Sequence, residues 1–115
     1  MFGRVHCLKS QVSYSRGLRE ELCVPIRIGI LGDFNPEFPA HTTIDPSLQH
    51  AGQALGVEVE SQWLATPSLV GADGERLMAG YHGLWAAPAS PYQSMEGMLR
   101  GIEFARRRDW PFVGT

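Results

Sequence analysis

The alternation of short apolar segments with amphipathic helical patterns is the feature that most constrains the fold of this chain. Four segments have the length and composition of strands: residues 26–32, 57–63, 81–88 and 110–115. The first is rich in β-branched residues and lies between Pro25 and Asp33, which is typical of a buried strand. The second alternates apolar and polar residues, which predicts a half-exposed strand near a sheet edge.

Two helices are predicted between these strands. Asp45 and Pro46 suit the start of the first helix and Gly56 suits its end. Its apolar stripe consists of Ile44, Leu48, Ala51 and Leu55. A capping-box pattern predicts that Ser90 caps the second helix and Pro91 opens it, with Gln93 reaching back. Its stripe consists of Met95, Met98, Leu99, Ile102 and Ala105. Residues 33–43 are predicted as a loop, and residues 67–80 as a linker in which Leu69-Val70 and Leu77-Met78 can form a short turn of helix.

This order of elements predicts the α/β class, with a parallel sheet between two layers of helices and right-handed crossover connections. A chain of 115 residues has room for one core of this kind. We assign the domain to residues 25–115. Residues 1–24 are polar and weakly periodic, and we interpret them as an N-terminal tail that need not belong to the domain.

Composition excludes several classes of function. The chain has no apolar run long enough to span a membrane and no apolar core of a signal peptide, and its net charge of −2 gives no case for binding nucleic acid. Its two cysteines, Cys7 and Cys23, match no zinc spacing and indicate reduced thiols in the cytoplasm. His41 and His50 lack a cysteine or glutamate at ligand spacing, so we expect no metal. Nucleotide-binding motifs are also missing, and we expect no cofactor.

The candidate site lies at the carboxyl ends of the predicted strands, where open parallel sheets bind their ligands. Asp33 directly follows the first strand and either binds a metal or sugar or caps a turn. The loop Pro88, Ala89, Ser90 precedes a helix, so its backbone N–H groups form either an oxyanion-binding element or a simple helix cap. His82, before the third strand, is interpreted as structural.

A resemblance to a known family is carried by four segments: residues 28–32, 47–52, 83–88 and 96–106. The tail Trp110–Thr115 resembles the strand that leads into that family's nucleophile. Together these segments make residues 26–115 similar to the first half of a class I glutamine amidotransferase domain, in particular the one at the C-terminus of CTP synthase. The resemblance implies the N-terminal half of a flavodoxin-like fold.

The resemblance also implies a chemistry. In the family, a cysteine on a strand-to-helix turn attacks the side-chain amide of glutamine, a histidine oriented by a glutamate moves the protons, and backbone N–H groups hold the oxyanion. The ammonia passes to a synthase partner, in pyrimidine nucleotide biosynthesis. The expected partners are therefore glutamine, as substrate of the complete protein, the second half of the domain, and a synthase.

No catalytic residue of the family falls within this chain, because the nucleophile is expected just after Thr115. We therefore expect the chain to be truncated before its nucleophile and inactive as given. A UGA codon at position 116, encoding selenocysteine, is one hypothesis for this end. A cloning truncation and a degraded gene are the others.

The loop 88–92 departs from the family, which has paired glycines after the proline. Ala89 and Ser90 restrict the backbone that glycines would free, and Pro91 has no N–H. Two alternatives therefore stand beside the glutaminase. One is a non-catalytic binding or regulatory module on the same fold. The other is a different hydrolase or redox enzyme with cysteine or selenocysteine at position 116.

Overall fold

A computed structural model of the protein describes residues 24–89 and 91–115. Its elements in chain order are β1 (Ile26–Leu31), α1 (Pro39–Thr42), α2 (Ile44–Leu55), β2 (Val59–Leu64), a 3₁₀ helix (Thr66–Leu69), α3 (Ala72–Ala79), β3 (Gly83–Ala86), α4 (Met95–Arg108) and β4 (Phe112–Gly114). The four strands form one sheet in the order β2-β1-β3-β4, and every pair of neighbours is parallel. The prediction of an α/β fold with a parallel sheet is thereby confirmed.

Helices cover both faces of the sheet and form two separate cores. On one face, Ile30 packs with Ile44 of α2 and with Ala87, against the half-buried rings of Trp63 and Trp85. The other face carries the larger core, in which strand residues meet the 3₁₀ helix, α3 and α4. It consists of Leu31, Leu64, Leu69, Met78, Tyr81, Leu84, Ala86, Met98 and Phe104. Neighbouring residues of β1 thus serve opposite cores, as the alternation of side chains along a strand requires.

Helix α4 approaches the rest of the fold through two glycines. A Cβ at Gly97 would lie 1.8 Å from the Thr66 carbonyl oxygen, and a Cβ at Gly101 would lie 2.5 Å from Leu31 Cδ1. The predicted apolar stripe of this helix is therefore only partly right. Met98 and Ala105 are buried, but Met95, Leu99 and Ile102 are exposed, because the glycines and Phe104 turn a different face to the sheet.

The stripe predicted for the first helix is also only partly right. In α2, Ile44 is buried and Leu48 is half-buried, whereas Leu55 is 76% exposed. The helix begins at Ile44, so Asp45 does not cap it but lies in the first turn, where its carboxylate accepts a hydrogen bond from the Ser61 hydroxyl. Gly56 ends the helix as predicted, in the left-handed conformation with φ 74°.

The connections are more ordered than predicted. The loop at 33–43 contains α1, and the linker at 67–80 contains most of the 3₁₀ helix and all of α3.

The predicted cap at Ser90 is wrong: α4 begins at Met95, and the Ser94 hydroxyl accepts the hydrogen bond from the Gly97 N–H at 3.0 Å. Ser90 itself lies outside the described residues, as do Cys7, Cys23 and the predicted tail apart from exposed Val24. Among the described residues, none of the helices is both long and apolar enough to cross a membrane.

Strand β4 is an edge strand, and it leads to a prediction about association. Within the described ranges it pairs only with β3, and Val113 on it is 50% exposed. Leu99 and Ile102 of α4 add exposed apolar surface. An unpaired edge beside apolar surface favours association between chains, so we expect the purified chain to elute above its monomer mass in a concentration-dependent way.

A charge on the edge tests this explanation. We expect Val113→Lys to shift the chain towards monomer in size-exclusion chromatography with light scattering, because an edge lysine opposes strand pairing. The matched control is Leu55→Lys, which places the same charge on exposed α2 and should leave the elution unchanged. A monomer at every concentration would contradict the prediction.

Candidate functional site

The strand order defines where a ligand would bind. The chain leaves β1 towards β2 at one edge and leaves β3 towards β4 at the other, although β1 and β3 are neighbours. In folds with this strand order, the loops after two such strands diverge, and ligands usually bind in the crevice between them at the carboxyl end of the sheet. We call the corresponding place in this chain, between the loops after β1 and β3, the crevice. At the carboxyl ends of these two strands, the Ala87 N–H donates a hydrogen bond to the Leu31 carbonyl at 2.9 Å, the last one between them.

Asp33, at the start of the loop after β1, ties three segments together. Its Oδ1 accepts from the Thr66 N–H at 2.9 Å, and the Thr66 hydroxyl donates to Oδ2 at 2.9 Å. Oδ2 also accepts from the Gln93 N–H at 2.9 Å. Thr66 is fully buried, and its Oγ1 accepts in turn from the Ser94 N–H at 2.9 Å. The geometry gives Asp33 the role of a structural brace, and its role as a ligand stays a prediction.

His41 links the two loops of the crevice. The imidazole is only 2% exposed, and its Nδ1 accepts from the Asn35 N–H at 3.0 Å. Its Nε2 lies 2.9 Å from the Pro88 carbonyl oxygen, across the crevice floor. Three aromatic rings surround it with centroid distances of 4.8 to 6.1 Å: Trp63, Phe38 and Phe34.

The predicted oxyanion loop follows directly after β3. Pro88 and Ala89 are both half-buried, and Ala89 has φ 92°, a value that residues with a Cβ rarely adopt. The Tyr92 hydroxyl donates to the Ala87 carbonyl at 2.9 Å and steadies the preceding turn. Ser90 lies outside the described residues, so its part in this element stays a prediction.

Sequence reasoning considered His41 only as a metal ligand and missed its bridging position. The signal that was available is its spacing between Phe34, Phe38 and the helix start, an apolar setting in which an imidazole needs protein partners. The geometry of His82 agrees with the structural role interpreted from the sequence, because its Nδ1 accepts a hydrogen bond from the Arg27 N–H at 2.8 Å. Among the described residues, no three His, Cys, Asp or Glu side chains cluster as metal ligands would.

The acid–base side chains at the crevice, Asp33 and His41, are both hydrogen-bonded within the protein. Residues 24–115 contain no cysteine. What the arrangement offers is a backbone N–H at Ala89, the type of group that binds a carbonyl oxygen or an oxyanion.

The chain is similar in sequence to part of several CTP synthases. The chain is 29% identical over 89 residues to CTP synthase from Paracoccus denitrificans (strain Pd 1222) and 30% identical over 91 residues to CTP synthase from Chloroherpeton thalassium (strain ATCC 35110 / GB-78). Each match covers 77% of this chain and 16% of the relative, so the chain spans a small part of these proteins. No family model matches the chain.

A solved structure shares the fold. The glutaminase domain of Trypanosoma brucei CTPS, solved with bound acivicin, matches with a TM-score of 0.67 at 17% identity. The match covers 77% of this chain and 35% of that domain's chain. In sequence and in fold, the described residues therefore resemble part of the glutamine amidotransferase domain found in the C-terminal part of CTP synthase.

Proposed function

We propose that residues 25–115 form the first half of a glutamine amidotransferase-like domain related to that of CTP synthase, which hydrolyses glutamine to supply ammonia in the complete protein. The observation that carries this proposal is the match to a glutaminase domain over 77% of the chain. The crevice between β1 and β3, with the loop at Pro88 on its rim, supports it.

The register of the sheet supports a place for the nucleophile. Gly114 pairs with Ala86, and the Thr115 N–H donates to the Ala86 carbonyl at 3.1 Å. The Trp85 indole N–H also donates to the Thr115 hydroxyl at 3.0 Å. Two further residues along each strand would bring position 116 level with Pro88. A cysteine or selenocysteine there would stand beside the proposed oxyanion loop.

The chemistry follows from this placement. The thiolate or selenolate attacks the carbonyl carbon of the glutamine side-chain amide, and the carbonyl electron pair moves onto oxygen. The Ala89 N–H donates a hydrogen bond to that oxyanion. Its collapse forms a glutamyl thioester or selenoester and expels ammonia, with the proton supplied by a general acid outside these 115 residues. Water then releases glutamate. The ammonia would serve a synthase partner in pyrimidine nucleotide biosynthesis, in the cytoplasm.

The expected result for the chain alone is no glutaminase activity. Purified residues 1–115 should release ammonia from L-glutamine at the background rate, because the chemistry above needs a nucleophile after Thr115. A coupled ammonia assay measures this. Turnover above background that disappears on denaturation would contradict the assignment of the nucleophile to position 116.

The genomic sequence downstream of codon 115 provides the second half of the test. We expect an in-frame cysteine or UGA codon, then a glycine-rich turn and a distant histidine and glutamate. A protein extended through that segment should hydrolyse glutamine, and a serine at position 116 should abolish the activity. An extended protein with all these residues but no activity towards glutamine would contradict the proposal.

A non-catalytic binding or regulatory module is the second candidate, and one observation favours it. Ala89 holds a glycine-like φ of 92°, and Pro91 removes a backbone donor from the same loop. Where the family has paired glycines after the proline, alanine at position 89 and proline at position 91 leave the backbone less able to adjust to an oxyanion. A downstream sequence without cysteine or selenocysteine, in a protein that binds glutamine without hydrolysing it, would support this candidate.

A further inference from the structure

We infer that His41 is a positioning residue: its buried imidazole fixes the Pro88–Ala89 peptide so that the Ala89 N–H faces the ligand side of the crevice. The class of group that this N–H would hold is the carbonyl oxygen of an amide or carboxylate, which for the proposed function is the side chain of glutamine. The identity of this ligand rests on the proposed function, whereas the effect of His41 on the Pro88–Ala89 peptide does not.

The hydrogen bonds of His41 determine its tautomer. Nδ1 accepts from the Asn35 N–H at 3.0 Å, so it carries no proton. Nε2 lies 2.9 Å from the Pro88 carbonyl oxygen, which can only accept, so Nε2 carries the proton and donates. His41 is therefore neutral, with both ring nitrogens satisfied inside the protein.

The bond to Pro88 sets the direction of the next N–H. A trans peptide is planar, and its C=O and N–H point in opposite directions. Because the Pro88 carbonyl points at His41, the Ala89 N–H points away from His41. Within residues 24–89 and 91–115, the Ala89 N–H donates no hydrogen bond to another backbone group. Towards this part of the chain it is a donor open to a ligand.

The conformation of Ala89 shows that the surroundings hold this peptide. A φ of 92° is disfavoured for alanine and persists only where neighbouring contacts over-determine it. Those contacts are the His41 bond to Pro88 and two bonds at Ala87, which donates to Leu31 and accepts from Tyr92. Of these, only the His41 bond acts on the peptide that carries the Ala89 N–H.

Two variants separate the donor from the ring. His41→Phe keeps an aromatic ring among Phe34, Phe38 and Trp63 but removes both nitrogens. His41→Gln keeps an amide N–H that can reach Pro88. Solution NMR of the 115-residue chain reports φ at Ala89 through the strong intraresidue amide–α-proton NOE that positive φ produces. We expect His41→Phe to lose this NOE and His41→Gln to retain it, with strand amides unshifted in both.

The wild-type chain gives an independent measurement that needs no variant. The ¹⁵N shifts of the His41 ring should show a protonated Nε2 and an unprotonated Nδ1. A protonated Nδ1 would overturn the inference, and so would a His41→Phe variant that folds and keeps the Ala89 NOE.

A titration with L-glutamine distinguishes this inference from the proposed function. We expect L-glutamine to shift the Ala89 amide in the wild-type chain, and the same shift in His41→Phe to need about tenfold more ligand, the effect of one lost hydrogen bond of ordinary strength. Without any shift in the wild-type chain, the proposed function loses support while the NOE still decides the role of His41. An equal shift in the wild type and His41→Phe would overturn the positioning role and leave the proposed function standing.

Discussion

Gly97→Ala is expected to lower the free energy of unfolding by about 3 kcal/mol, near the upper end of what overpacking costs in protein cores. The added methyl would lie 1.8 Å from the Thr66 carbonyl oxygen and 2.7 Å from its carbonyl carbon. These are backbone atoms of a tight 3₁₀ turn and cannot rotate aside as a side chain can. Helix α4 would have to move away from the sheet, and the gain in helix propensity, at most about 1 kcal/mol, does not offset that.

Alanine substitutions at two other glycines serve as references for the stability loss in Gly97→Ala. At Gly101 the nearest atom, 2.5 Å away, is the end of the Leu31 side chain, which can change rotamer, so we expect a smaller loss for Gly101→Ala. At Gly80 the nearest atom is 3.4 Å away, and Gly80→Ala should be almost neutral. Urea unfolding of the three variants should rank them in this order. A Gly97→Ala variant as stable as Gly80→Ala would contradict the close approach of α4 to the 3₁₀ helix.

The same glycines explain where sequence-based prediction reached its limit. The α/β class and the parallel sheet followed from apolar runs, because a buried parallel strand has a simple signature, and β1 lies within one residue of its predicted bounds. The face of α4 did not follow, because a helical stripe counts apolar side chains. Gly97 and Gly101 are buried by the absence of a side chain, which periodicity cannot detect.

The start of α4 was missed for a related reason. The pattern at Ser90 satisfies the local rule for a cap, but the backbone just before Met95 has other partners. The Gln93 N–H donates to Asp33 and the Ser94 N–H donates to Thr66, which keeps Ser94 extended with φ −137° and ψ 102°. These partners lie 60 and 28 residues away in the chain. The residues around Ser94 in the sequence therefore do not indicate these hydrogen bonds.

The place of the candidate site stays a prediction from the rule for open parallel sheets, which puts it at Asp33 and Pro88. The contacts within it could not be predicted. The bridge from His41 to Pro88 joins positions 47 residues apart, so only the folded chain reveals it. Sequence also left two roles open for Asp33, and the hydrogen bonds of its carboxylate make the structural role testable.

Asp33→Asn is expected to lower the free energy of unfolding by about 2 kcal/mol, because hydrogen bonds to a charged acceptor contribute more than neutral ones. The amide has the shape of the carboxylate but only one acceptor oxygen. In the wild type, both oxygens receive donors, Oδ1 from the Thr66 N–H and Oδ2 from the Thr66 hydroxyl and the Gln93 N–H. In the variant, the NH₂ group must face at least one of these donors.

The control and the partner variant make the result specific. Asp73→Asn removes the same charge from a side chain that is 90% exposed, and we expect a much smaller change in urea unfolding, because its ion pair with Arg76 is exposed to solvent. Thr66→Val removes the fully buried hydroxyl that Asp33 binds. If Asp33 acts as a brace through Thr66, the double variant loses less stability than the sum of the two single variants, by about 1 kcal/mol. Additive losses, or an Asp33→Asn variant as stable as Asp73→Asn, would contradict the brace and strengthen the case for Asp33 as a ligand.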